Sequence, residues 1–122
     1  MARLTLLVVL VSAIELFAQA QSVVSHGPDC SGGWPTDMTQ AQLKNAGLLK
    51  NEEIDSAKTK TSRLASEKVG RDLWHQVYLV TFVKRSGETI DAIVVHDASI
   101  AECSMSAVEV FLISRKLGSA PR

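Results

Sequence analysis

The stretch from Asp72 to Arg85 constrains this chain more than any other. Apolar residues occupy both parities there: Leu73, Val77, Leu79 and Val83 on one, Trp74, Tyr78, Val80 and Phe82 on the other. The run is rich in β-branched and aromatic side chains, which suit a pleated surface. Ser86-Gly87 follows as a turn signal, with Gly87 free to take positive φ, and Glu88 to His96 reads as a returning strand. A hairpin alone is barely stable in water, so the rest of the chain must cover it and extend it.

The flanking segments supply those partners. Thr36 to Leu49 reads as a helix, with Thr36 or Thr39 as cap, a Thr39-x-x-Gln42 capping box and Gly47 as a left-handed stop. Met38, Ala41, Leu43, Ala46 and Leu49 form its apolar stripe. Asn51 to Ala57, with Glu52, Glu53 and Asp55, reads as a solvated connection. Thr61 to Val69 is a further strand candidate, Asp97 to Met105 a connection, and Ser106 to Ser114 the last strand. The predicted fold is α+β: one N-terminal helix packed on a three- to four-stranded antiparallel meander sheet. Its limits are an irregular segment over 21–35, a single domain over 36–117 and a loose tail over 118–122.

This order of elements resembles that of small periplasmic or inhibitor-like α+β domains such as the cystatin-like class, in topology only. Leu64-Ala65-Ser66-Glu67-Lys68, Asp97-Ala98-Ser99 and Glu102-Cys103-Ser104-Met105-Ser106 resemble the pattern of a group of small exported bacterial proteins. That resemblance spans Leu43 to Gly118 and implies no activity and no catalytic motif.

Residues 1–20 have the layout of a cleaved secretory leader. Arg3 is the positive start, Leu4 to Ile14 the apolar run, and Ala18-Gln19-Ala20 the small-x-small site. Glu15 interrupts the run before it reaches the roughly 20 apolar residues that a membrane span needs. Cys30 and Cys103 are the two cysteines, and an oxidising compartment makes one disulfide between them the expectation. The exported domain would then sit in the periplasm or outside the cell, with no membrane span once the leader is removed.

A two-residue Ser86-Gly87 turn places Arg85 opposite Glu88, Val83 opposite Ile90, Leu79 opposite Val94 and Val77 opposite His96. One face then carries His75, Val77, Leu79 and Val83 with Ile90, Ala92, Val94 and His96, and is the smoother bed for the helix. The other carries Trp74, Gln76, Tyr78, Val80 and Phe82 with Asp91, Ile93, Val95 and Asp97. On it Trp74, Tyr78 and Phe82 form a candidate binding surface, since aromatic residues anchor protein contacts, unless another element covers them. His75 and His96 share the first face as a candidate two-point metal or proton-handling site, with Asp97 pointing away.

Thirteen basic residues balance thirteen acidic ones, so nothing favours a phosphate backbone or an anionic membrane, and no nucleic-acid partner is expected. Two cysteines and three scattered histidines do not make a zinc site, and no cofactor is expected. There is no G-x-S-x-G, H-E-x-x-H or phosphate-binding glycine loop. Asp91, Asp97 and Glu102 are expected near one end of the sheet, without the deep cleft that a carboxylate pair would need. The function expected is a small, exported, non-catalytic binding domain, of the inhibitor or immunity type, acting on an envelope or secreted protein. The alternatives are an envelope assembly component that pairs through edge strands or homodimerises, and a small hydrolase or metal binder using His75, His96 or Asp97.

Overall fold

The computed structural model describes residues 26–113. The leader reading for 1–20 and the loose tail over 118–122 lie outside them. One helix, α1 (Trp34–Asn45), precedes four strands: β1 (Lys60–Gly70), β2 (Leu73–Val83), β3 (Thr89–Ala98) and β4 (Glu109–Ile113). The strands form one antiparallel sheet in the order β1-β2-β3-β4, with α1 packed against β2 and β3. This is the predicted α+β meander in its four-stranded form.

The helix starts and stops by other means than those expected. Gly33 is the N-cap and makes no side-chain cap bond, while Pro35 sits in the first turn where its missing N–H costs nothing. Thr39 is no cap. It is fully buried, and its hydroxyl donates to the Pro35 carbonyl at 2.6 Å. The face turned to the sheet is Pro35, Thr39 and Leu43, with Met38 beside it, while Ala46 is exposed. Gly47 at φ 73° ends the helix as predicted. The Leu48 N–H reaches the Leu43 carbonyl and the Gly47 N–H the Lys44 carbonyl, a Schellman pair.

Beyond the helix, Ile54 is buried and bridges to Lys84, where a solvated connection was expected. The Asp55 N–H donates to the Val83 carbonyl and the Arg85 N–H to the Glu53 carbonyl, so this segment grips the turn end of the hairpin.

A strap from Gly27 to Cys30 crosses the inner face of the sheet at the opposite end. The Tyr78 hydroxyl accepts the Cys30 N–H at 2.9 Å and donates to Gln76 Oε1 at 3.0 Å. The Gln76 amide nitrogen donates in turn to the Pro28 carbonyl and to Ser66 Oγ. Arg63 adds a bond to the same Pro28 carbonyl. The Tyr78 hydroxyl and the Gln76 amide are both partnered in this relay, which makes it an anchor for the strap. The expected disulfide closes the arrangement: Cys30 is bonded to Cys103 of the β3–β4 connection, with 5.8 Å between Cα atoms.

Gly27 adopts φ 70°, and a Cβ there would lie 2.5 Å from Trp74 Cγ. Gly27→Ala therefore combines a left-handed penalty with a clash against a packed indole. We expect it to cost about 2–4 kcal/mol, read by urea unfolding. A loss below about 0.5 kcal/mol would show that the strap does not need this close approach.

Candidate functional site

The hairpin turn decides which residues share a surface. Lys84 pairs with Glu88, its N–H donating to the Glu88 carbonyl at 2.7 Å, and the Gly87 N–H donates to the Lys84 carbonyl at 2.8 Å. The loop is thus the three residues Arg85, Ser86 and Gly87, with Gly87 at φ 89° as a bulge residue. Every pairing moves by one from the expected register: Val83 opposes Thr89, Leu79 opposes Ile93 and Val77 opposes Val95. The residues grouped within each strand stay together, but the groups joined across β2 and β3 are exchanged.

The inner face carries Trp74, Gln76, Tyr78, Val80 and Phe82 with Ala92, Val94, His96 and Ala98, all buried. On β2 it is the aromatic parity, not the smoother one, that beds α1 and the strap, while Ala92, Val94 and His96 of β3 lie on the helix side as expected. Trp74, Tyr78 and Phe82, the candidate binding surface, are at most 1% exposed and belong to the interior. Burial pushes the Tyr78 phenol above its ordinary 10.0, so it remains a hydrogen-bond donor at neutral pH.

His75 and His96 lie on opposite faces, so they form no joint site. His96 is 1% exposed, and its Nδ1–H donates to the Cys103 carbonyl at 2.8 Å. That bond leaves the lone pair on Nε2, which has no partner, as does the buried Nε1–H of Trp74. Burial depresses the His96 pKa below 6.5, against the smaller raising influence of the Cys103 and Asp97 backbone and the Asp97 charge. The unfolded chain therefore binds a proton that the folded domain resists. Stability is full above pH about 6.5 and falls as the pH drops below it toward the lower folded value. We expect Tm to fall between pH 7 and pH 5, and His96→Asn to flatten that slope. An unchanged slope in the variant would assign the acid sensitivity elsewhere.

The outer face has an apolar middle and polar ends. Its rows run straight across the sheet. Glu67, His75 and Asp97 form the first, followed by Ala65, Val77, Val95 and Glu109. Ser62, Leu79, Ile93 and Phe111 form the third, and Lys60, Thr81, Asp91 and Ile113 the fourth, with Val83 and Thr89 beyond it at the turn. Asp91 and Asp97 thus stand at opposite ends of β3, not together. Asp97, expected to point away from His75, is instead its direct cross-strand partner at 2.6 Å. At the far end the Thr81 hydroxyl donates to Asp91 at 2.6 Å. No described helix or strand packs on this face. Phe111 remains 54% exposed and Ile113 46%. An apolar centre inside a hydrogen-bonded polar rim is the anatomy of a protein-docking surface.

The two sheet edges differ as well. β1 has two register shifts and carries Lys60, Arg63, Glu67 and Lys68, which discourage strand addition. β4 is short, with Glu109 as its one charged residue.

Pockets elsewhere are shallow. One of about 380 Å³ lies between the start of α1, residues 54–59 and β1, lined by Ser31, Thr36, Thr59 and Thr61 with Asp37 as its titratable group. Among the described residues no three His, Cys, Asp or Glu side chains are grouped to hold a metal ion, and no helix is long and apolar enough to cross a membrane. The disulfide fits an oxidising compartment. No protein-family model matches the chain, and no curated protein or solved structure matches it.

Proposed function

We propose that the protein is a small, non-catalytic binding domain that docks on a protein surface through the outer face of its sheet. The observation that supports this reading is the row pattern. Val77, Leu79, Ile93 and Val95 form an apolar centre on the two middle strands, with His75–Asp97 at one end and Thr81–Asp91 at the other. The aromatic trio first considered for binding is spent on the core, and the docking role passes to the opposite side of the same strands.

A photo-crosslinking residue placed at Phe111 tests this in the producing cell. The expected result is a discrete protein adduct, while the same probe at Ala46, exposed at the end of α1, gives none. Equal labelling from both positions, or none from Phe111, would count decisively against the outer face.

A further inference from the structure

We infer that the partner on this face is a second copy of the chain, the two outer faces packing as a β-sandwich; this rests on the docking reading above. Three observations point to it.

The first is size. β2 is eleven residues long, and four strands lie side by side. At the usual strand spacing and rise, the face covers roughly 600 Å², so two copies would bury about 1,200 Å². That reaches the lower end of standard specific interfaces, at about 1,200 Å².

The second is charge. The chain has a formal net charge of zero, so no long-range repulsion opposes self-association. On the outer face Lys60 and Glu67 stand at opposite ends of β1. A two-fold axis lying between the sheets and across the strands sets β1 over β1 with its direction reversed. Each Lys60 then approaches the second copy's Glu67, twice per dimer. An axis along the strands, between β2 and β3, would instead set Lys60 over the second copy's Ile113 and Glu67 beyond the end of its β4, leaving both charges without an opposite partner. The transverse axis does bring Asp91 toward the second copy's Asp97. Both carboxylates already hold an in-plane hydrogen bond, from Thr81 and His75, and both lie on the rim.

The third is shape. Faces of antiparallel sheets stack with strands about 30° apart and side chains interdigitating, and a two-fold pair closes without leaving a second sticky surface.

Sedimentation equilibrium on the oxidised chain, expressed with its own N-terminus, tests the inference. We expect a monomer–dimer equilibrium in the micromolar range. Ile93→Lys should weaken it by about 100-fold or more, because it buries an unpaired charge at the centre. Lys60→Glu should weaken it about tenfold, and adding Glu67→Lys should restore it. The charge pair is at the surface, so its rescue is readable even if Ile93→Lys disturbs folding. A monomer at all concentrations, a dimer indifferent to Ile93→Lys, or a charge-reversed pair that fails to rescue would each overturn the inference. So would a dimer broken only by Leu112→Pro at the β4 edge. A monomer that still gives a Phe111 adduct with a different protein sinks the second copy and leaves the docking face standing. Loss of every Phe111 adduct sinks both.

Discussion

The double variant Cys30→Ala/Cys103→Ala is expected to be about 4 kcal/mol less stable than the oxidised domain. The bond joins residues 73 apart in sequence, and closing a loop of that length in the unfolded chain accounts for about that much in the chain-entropy model. A domain of this size has roughly 5–15 kcal/mol in total, so the variant would sit close to its unfolding threshold. The effect should have a local side too. Cys30 is 2% exposed, and its backbone N–H is held by the Tyr78 hydroxyl. Without the covalent link, only the Tyr78–Gln76–Pro28 bonds and the packing of Gly27 on Trp74 retain the strap. Urea unfolding of the two forms reads the global term, and proteolysis near Gly27 reads the local one. A loss under about 1 kcal/mol would mean that the hydrogen-bonded strap already confines the unfolded-state loop or needs no staple.

Trp74→Ala should be a folding defect and not a binding defect. The indole is 1% exposed, lies under Gly27 on one side, and has the Lys68 ammonium 5.3 Å from its ring centre. Truncating a buried aromatic of this size costs about 3–5 kcal/mol, since the neighbours close only part of the cavity. The expected record is a large fall in Tm, with the remaining emission coming from the half-exposed Trp34 and shifted to the red. A variant that melted like the parent but lost its partner would return Trp74 to the surface and reverse the assignment of the two faces.

The order of elements was legible in the sequence because alternation and turn chemistry are local. The Asp72 to Arg85 run, the Gly87 turn and the Gly47 stop each declare themselves within a few residues. The identity of the core face did not, for two reasons. Both parities of β2 are apolar enough to be inside: Val77 and Leu79 compete with Val80 and Phe82. Buried Gln76, together with Asp91 and Asp97 set beside it by the expected register, made the face of Trp74, Tyr78 and Phe82 look the wetter one. What settles the matter is non-local. The strap brings the Pro28 carbonyl to Gln76 and the Cys30 N–H to Tyr78, from 48 residues away in both cases. The one-residue register error came from reading Ser86-Gly87 as the whole loop, whereas Gly87 serves as a bulge after Arg85 and Ser86. Ile54 went unseen because a single apolar residue among acids carries no periodicity. The Gln76 and Tyr78 pair, two polar tips on one parity of an apolar strand, was the available hint of a hydrogen-bonded interior.

Covalently, the domain is a ring with a free arm. The Cys30–Cys103 bond encloses α1, β1, β2 and β3 and leaves β4 outside. Tension applied at the C-terminal end meets β4 first, and that strand is held by its ladder to β3, by the seating of Val108 and by the Gln42 bond to the Val108 carbonyl. A pull in that direction would peel off β4 and stop at the ring. Phe111 and Ile113 would leave with it, so the outer face is complete only while this unenclosed strand stays zipped in place.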